Sequence, residues 1–296
     1  MKLYLNMKRI PIIALGAALL LAACTPGGGP ITLESRQFSD ATEHAELKFD
    51  VELPLPADKA ATEIRRQLVG VMDEDLSHID TYEEARAFPP FDGDVNDAEA
   101  LFSYYETKAL EAIGAASDAD IAERAAGIRE SEGLTEEEKQ GYISSLAGWG
   151  HEFSLKKTQE TEKYVVFDAQ TYIYRGGTHG GIIGAGPLTF SKRDGARITD
   201  FFLPDCLTEL QPLLTKAMEK YFSTLLDGTG VEMMEILDLK DGQIPLPAWA
   251  PYPSEEGLNL VYQQYEIGAY ALGMPSCILP WDEVEPYLTP AAKAIL

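Results

Sequence analysis

Histidine is scarce in this chain, with residues only at positions 44, 78, 151 and 179, so there is little material for a multi-histidine metal centre. Phosphate-binding signatures are missing too: no glycine run has the Gly-x-Gly-x-x-Gly spacing and no Gly-Lys-Ser/Thr loop occurs. Gly-x-Ser-x-Gly and His-Glu-x-x-His are absent, which removes the commonest hydrolase and metalloprotease patterns. Basic residues are outnumbered, with 24 Lys and Arg against 48 Asp and Glu, for a formal charge of −24. A chain this acidic does not bind nucleic acid through its overall field; it repels anionic lipid and attracts cationic partners. Such acidity also serves solubility alone. No cofactor is expected, and no catalytic role is assigned.

Long apolar runs are lacking as well, except at the start. Lys2, Lys8 and Arg9 precede an apolar stretch, Ile10 to Leu21, that is short for a bilayer span and reads as a secretory signal. It ends in Leu21-Ala-Ala-Cys24, which resembles a bacterial lipobox. The expectation is a signal peptide over 1–23 and a lipid on Cys24, which holds the protein to a membrane of the bacterial cell envelope, facing the periplasm or the surface. An ordinary signal peptide with a chance cysteine is the alternative. Cleavage would remove three basic residues and take the charge from −24 to −27. Thr-Pro-Gly-Gly-Gly-Pro and the polar residues after it, through 44, read as a flexible tether.

Cys206 and Cys277 remain, an even pair in an oxidising compartment. A disulfide between them would close a loop of 71 residues, worth about 4 kcal/mol in the chain-entropy model. Two unpaired buried thiols are the rival reading.

Strict alternation from Ala45 to Leu53 predicts a strand, and apolar residues at helical spacing over Asp58 to Ile79 predict a helix after it. A second helix follows from Asn96 or Asp97 through Ile113, then a weaker helical piece at 119–130 and a third helix opened by a Thr135/Glu138 capping box. From His151 the pattern turns to strands: 152–157, 164–174, then 188–192 and 197–199 as a hairpin. Thr208 to Leu226 is an amphipathic helix with Pro212 in its first turn, and 231–239 holds a shorter one. Ile244 to Pro253 is an irregular crossing rich in proline, 258–267 and 276–279 are strands, and the last residues are helical. The fold class is α+β: two small sheet-plus-helix domains, 45–186 with a helical insertion and 187–296, behind the signal and tether.

Within this frame, Tyr172-Ile-Tyr-Arg-Gly-Gly-Thr-His179-Gly-Gly181 ends a strand in a glycine-flanked histidine. Glycines let the backbone approach a ligand closely, and histidine binds carboxylates or titrates near neutrality. The plainer reading, which the residues favour, is that His179 hydrogen-bonds across the turn and fixes a domain corner.

Gly176-Gly-Thr-His179, Leu188-Thr-Phe, Asp194-Gly195, Ile198-Thr-Asp-Phe-Phe202, the Glu256 to Ile267 run with its Tyr262-x-x-Tyr-Glu-Ile267 end, Tyr270, Gly273 and Ile278-Leu-Pro-Trp-Asp-Glu-Val284 together resemble the RsiV-like family of bacterial envelope proteins. The family's usual corner is Gly-Gly-Ala-His, here with Thr178 in place of alanine. The resemblance implies two small α+β domains outside the cytoplasm. The first is of a kind found ahead of some peptidoglycan deacetylases, and the second is of unknown function. The best-understood relatives are transmembrane anti-sigma factors whose outer part binds lysozyme. Neither their transmembrane and sigma-binding segments nor a deacetylase catalytic domain is evident here. What carries over is a non-catalytic binding module, with lysozyme or another cationic peptidoglycan hydrolase as the partner. The alternative is a peptidoglycan-binding or processing accessory protein using Glu266 or His179. Glu266 has a structural rival reading as an acceptor for backbone or tyrosine donors. Tyr262, Tyr265 and Tyr270 either present aromatic surface to sugar or protein or serve as strand core and edge.

Overall fold

The computed structural model describes residues 29–79, 85–177 and 179–296. Cys24 with the lipid expected on it, the expected signal peptide and Thr178 of the corner lie outside them. Among the described residues, two sheets and seven α-helices form the mixed α+β architecture, and two sheet-plus-helix units are distinguishable by their cores. No helix among the described residues is long and apolar enough to cross a membrane.

The larger sheet has six strands in sequence order: β1 (Leu33–Ala41), β2 (Ala45–Pro54), β3 (Trp149–Glu160), β4 (Tyr164–Arg175), β5 (Gly181–Ser191) and β6 (Arg197–Ile198). β2 and β3 run parallel, so a long crossover must return the chain. That crossover holds α1 (Lys59–Ser77), α2 (Ala98–Glu130) and α3 (Glu136–Ser144). Asp58 caps α1 by accepting from the Ala61 N–H at 2.8 Å, and Thr135 with Glu138 completes the capping box of α3.

The alternation in β2 buries Leu47, Phe49, Val51 and Leu53 against Ile64, Leu68 and Met72 of α1 and Leu101, Phe102 and Tyr105 of α2. Arg65 of α1 is also fully buried. It donates from Nε to Val95 O and from Nη1 to Pro54 O, and it pairs with Glu34, stitching β1, β2 and the loop before α2 together.

Three sequence expectations change here. The tether was expected to extend through 44, yet Leu33–Ala41 is the edge strand, because Leu33 and Phe38 pack on the core and Phe38 stacks on Phe49 at 5.1 Å. The helix expected to end near Ile113 and the weaker piece beyond it form one helix of 33 residues. The boundary expected at 186/187 falls inside β5, whose strand begins at Gly181.

The second unit is built on α4 (Leu207–Leu225), α5 (Met233–Ile236) and a three-stranded antiparallel sheet of β7 (Tyr252–Pro253), β8 (Gly257–Val261) and β9 (Ser276–Pro280). Two short helices, α6 (Trp281–Val284) and α7 (Pro290–Lys293), follow. Pro212 is the sixth residue of α4, just past the first turn where it was expected. Leu210, Leu214, Met218 and Phe222 of α4 pack on Leu258, Leu260 and Leu279, and Tyr164 and Val166 of β4 join this core. β4 therefore serves both cores, one on each face.

The expected disulfide is not formed: Cys206 and Cys277 are both free and buried. Each fills space in the second core as a small apolar side chain, and burial pushes the Cys277 thiol up to about 12.

Candidate functional site

β4 ends at Arg175, and the chain turns through Gly176, where φ is +70°. Two guanidinium groups brace this turn. Arg124 of α2 donates to Gly176 O at 3.0 Å and Ala147 O at 2.7 Å while paired with Asp120 at 2.8 Å. Arg175 donates to Gly150 O and Ile79 O and lies 4.6 Å over the Trp149 ring.

Beyond the turn, four aromatic side chains gather around Gly180. A Cβ on this glycine would fall 2.3 Å from the Tyr172 ring, so only glycine lets Tyr172 lie against the backbone here. The Gly180 carbonyl accepts from His179 Nδ1 at 3.0 Å and from the Tyr270 hydroxyl at 3.4 Å. A carbonyl only accepts, so Nδ1 carries the hydrogen and Nε2 is left as the ring's available nitrogen. The His179 and Tyr270 rings stack with centroids 4.6 Å apart, and Tyr270 meets Tyr265 at 5.5 Å. Tyr265 is 64% exposed and Tyr172 44% exposed, which makes the cluster an open aromatic surface.

Of the residues singled out from sequence, His179, Tyr265 and Tyr270 come together, and Tyr262 and Glu266 do not join them. Tyr262 is fully buried, with its hydroxyl donating to Pro245 O at 2.8 Å, and burial raises its pKa. Glu266 accepts the Ala248 N–H at 2.6 Å on one oxygen and the Gln263 N–H at 2.7 Å on the other. Its carboxylate ties two loops, which is the backbone-acceptor reading. The Tyr262 to Ile267 run is not strand either: β8 stops at Val261, and Tyr265 has φ +68°, turned outward. His179 does not span the turn by a long hydrogen bond. It reaches the second unit through the ring stack with Tyr270.

Sequence reasoning passed over Tyr172 and Trp249 as site residues. Trp249, from the proline-rich crossing, donates from Nε1 to Gly184 O at 2.9 Å. Its ring occupies the place of a Cβ on Gly186, whose φ is +65°. Gln264 Oε1 accepts the Ile182 N–H at 3.2 Å, so the second unit grips β5 along most of its first half.

A groove of about 1080 Å³ leads from the aromatic cluster, at Tyr172 and Ile182, across the sheet toward β1. Its lining includes five acidic side chains, Asp40, Asp50, Glu99, Glu106 and Glu152, against the two basic groups Arg36 and Lys48. Both bases are committed to carboxylates, Arg36 to Glu106 at 2.6 Å and Lys48 to Glu152 at 3.0 Å. Among the described residues no group of His, Cys, Asp and Glu could hold a metal ion.

Where the second unit covers β4, Asp168 is partly buried. Burial raises its pKa, opposed by the Gln170 amide on one oxygen, while the other oxygen has no hydrogen-bond partner among the described residues. A carboxyl whose folded pKa is raised costs stability progressively as pH rises above its unfolded value, and the cost is fully present once pH passes the folded value. Asp168→Asn is therefore expected to raise the melting temperature at pH 7. The gain should disappear below the ordinary carboxylate value of 3.8. A melting curve unchanged at pH 7 would contradict this.

These features define an α+β protein with two cores sharing one strand and an aromatic surface at their junction. Residues 199–282 match the model of a family described as protein of unknown function (DUF3298), a span that covers α4 through β9 and the start of α6. The chain is similar to the crystal structure of a DUF3298 family member from Bacteroides fragilis, 16% identical over 90% of this chain and 98% of that one, with TM-score 0.60. A second similar structure is a DUF3298 family protein from Pseudomonas aeruginosa, 13% identical over 89% of this chain and 97% of that one, with TM-score 0.55. At these identities the likeness carries the fold, and no curated protein matches the chain.

Proposed function

We propose that this protein is a non-catalytic binding module of the bacterial cell envelope, RsiV-like over both units and held to the membrane by a lipid on Cys24. Its partner is a cationic peptidoglycan hydrolase of the lysozyme type. The observation that carries the reading is the exposed aromatic surface of Tyr172, His179, Tyr265 and Tyr270 beside a groove whose lining has more carboxylates than bases, five against two, with Glu106, Glu152 and Asp50 in ion pairs. Aromatic anchors supply contact area at low entropic cost, and the acidic groove, on a chain whose formal charge is −24 before cleavage of the expected signal and −27 after it, steers a basic partner toward it.

Retention of lysozyme on the immobilised protein, stronger at low salt than at physiological salt, is the expected result. Tyr265→Ala combined with Tyr270→Ala should weaken it about thirtyfold, the loss of roughly 2 kcal/mol typical of an interface anchor. Tyr265 is too exposed for its removal to alter the melting temperature much. No retention at either salt, with the fold intact, would sink the lysozyme version.

A second reading has one observation in its favour: stacked rings on an open surface also suit the face of a sugar. Here the ligand is peptidoglycan glycan, and His179→Ala should reduce saturable binding of muropeptides. Glu266→Gln, which retains one acceptor for the loops it ties, should not.

A further inference from the structure

At the opposite end of the six-stranded sheet from the glycine corner, a pocket of about 720 Å³ opens where α1, the β3–β4 and β5–β6 turns and α7 meet. This is the size of a small-molecule site. In a chain with twice as many acidic as basic residues, its lining reverses the balance: Lys59, Lys163, Lys192, Arg193 and Arg197 against Asp58, Glu162 and Asp194.

Two of the five cations are already used. Lys192 is held by Glu160 at 2.6 Å and donates to Thr161 O, and Arg193 pairs with Asp194 at 2.8 Å. Asp58 is committed to capping α1, so the first turn of that helix is satisfied from within the chain. Lys59, Lys163 and Arg197 have no carboxylate within ion-pair distance among the described residues.

Arg197 is the informative one. It stands on β6, paired through the backbone with Phe190, and its Nε is buried with no acceptor among the described residues. Burial lowers its pKa, and no anion counters the effect. A guanidinium taken partly out of water with an unsatisfied donor is unfavourable unless something supplies the missing acceptor. The planar fork of arginine fits two oxygens of one oxyanion, and two neighbouring ammonium groups suit a second negative charge on it.

We propose that this pocket binds a phosphoryl group, with Arg197 as its principal contact and Lys59 and Lys163 flanking it. The phosphoryl group belongs either to a soluble phosphate ester or to a lipid headgroup. The site is separate from the aromatic corner and does not depend on what binds there.

Two probes distinguish the sources: inorganic phosphate titrated calorimetrically into the full protein, and phosphatidylglycerol vesicles compared with phosphatidylcholine vesicles by co-sedimentation. Binding of phosphate alone assigns a soluble ligand, and selective sedimentation with phosphatidylglycerol assigns a headgroup. In either case Arg197→Gln is expected to reduce affinity about tenfold or more, the loss of a charge-assisted hydrogen bond. Should Arg197→Gln fold poorly, Lys59→Ala with Lys163→Ala, both on exposed side chains, should still weaken binding measurably. The proposal is overturned if neither probe binds, if folded Arg197→Gln binds as wild type does, or if chloride at equal ionic strength competes as well as phosphate.

Discussion

Trp249→Ala is expected to destabilise the protein by about 3–5 kcal/mol, the range for removing a large buried aromatic side chain. Trp249 is buried, gives the hydrogen bond to Gly184 O at 2.9 Å, and packs on Gly186. It joins the second unit to β5 at Gly184 and Gly186, where that strand has no side chain. Trp249→Phe should lose less, about 1–2 kcal/mol, because a ring still covers Gly186 while the Gly184 carbonyl goes without its donor.

The contact is testable as a pair. Gly186→Ala places a Cβ 2.4 Å from the Trp249 ring on a residue with φ +65°, so it suffers both a clash and a left-handed backbone penalty. In a Trp249→Ala background the clash is gone and only the backbone penalty of about 1–2 kcal/mol remains. Denaturant unfolding of the four proteins should give strongly non-additive losses. Additive losses would mean that Trp249 does not depend on the bare backbone at Gly186.

Why Trp249 was not legible in the sequence, while His179 was, follows from what each signal records. Glycines around His179 advertise an unusual backbone locally. Trp249 acts through Gly184 and Gly186, some sixty residues earlier in the chain, and periodicity is silent about such pairings. Where one face is buried along a whole element, as in β2 and α1, alternation and helical spacing placed the element to within a residue or two. β1 escaped notice because an edge strand buries so little. Only Leu33 and Phe38 among its apolar residues pack on the core, amid serine, glutamine and aspartate.

The continuous α2 was missed for a related reason. Past Ser117 only Ala125 is buried, so the second half of the helix carries no apolar stripe. It earns its place through Arg124 and the braced turn at Gly176. The opposite error occurred at 262–267. The apolar positions Leu260, Tyr262 and Ile267 are all buried, but a turn lies between them, closed by the Glu266 N–H to Gln263 O at 3.1 Å. That turn places Tyr265 outward and Tyr262 inward, dividing tyrosines that a strand reading treated alike. The resemblance supplied Tyr265 and Tyr270 as candidates, and only the fold could separate them from Tyr262 and Glu266.

Asp75→Ala should be the most damaging single change beneath the corner, at about 3–5 kcal/mol. Asp75, near the end of α1, holds His151 Nε2 at 3.0 Å and also accepts from the Thr171 hydroxyl. His151 is 1% exposed, and its Nδ1 faces a guanidinium nitrogen of Arg175 at 3.3 Å. Arg175 can only donate, so Nδ1 accepts and Nε2 carries the hydrogen that Asp75 receives. One carboxylate thus satisfies two buried donors and fixes the histidine orientation that receives Arg175. Removing it leaves His151 and Thr171 without an acceptor in a site that water does not reach freely. Because Thr171 and Arg175 flank Tyr172 on β4, the loss should not stay local to α1. Backbone amides of 172–175 are expected to exchange hydrogen faster than the global loss of stability requires, and under the proposed function lysozyme retention should fall with them. Asp75→Asn, which keeps one acceptor oxygen, should fall between alanine and wild type on both measures. If exchange at 172–175 merely tracks global unfolding, the network holds the core together and does not position the aromatic surface.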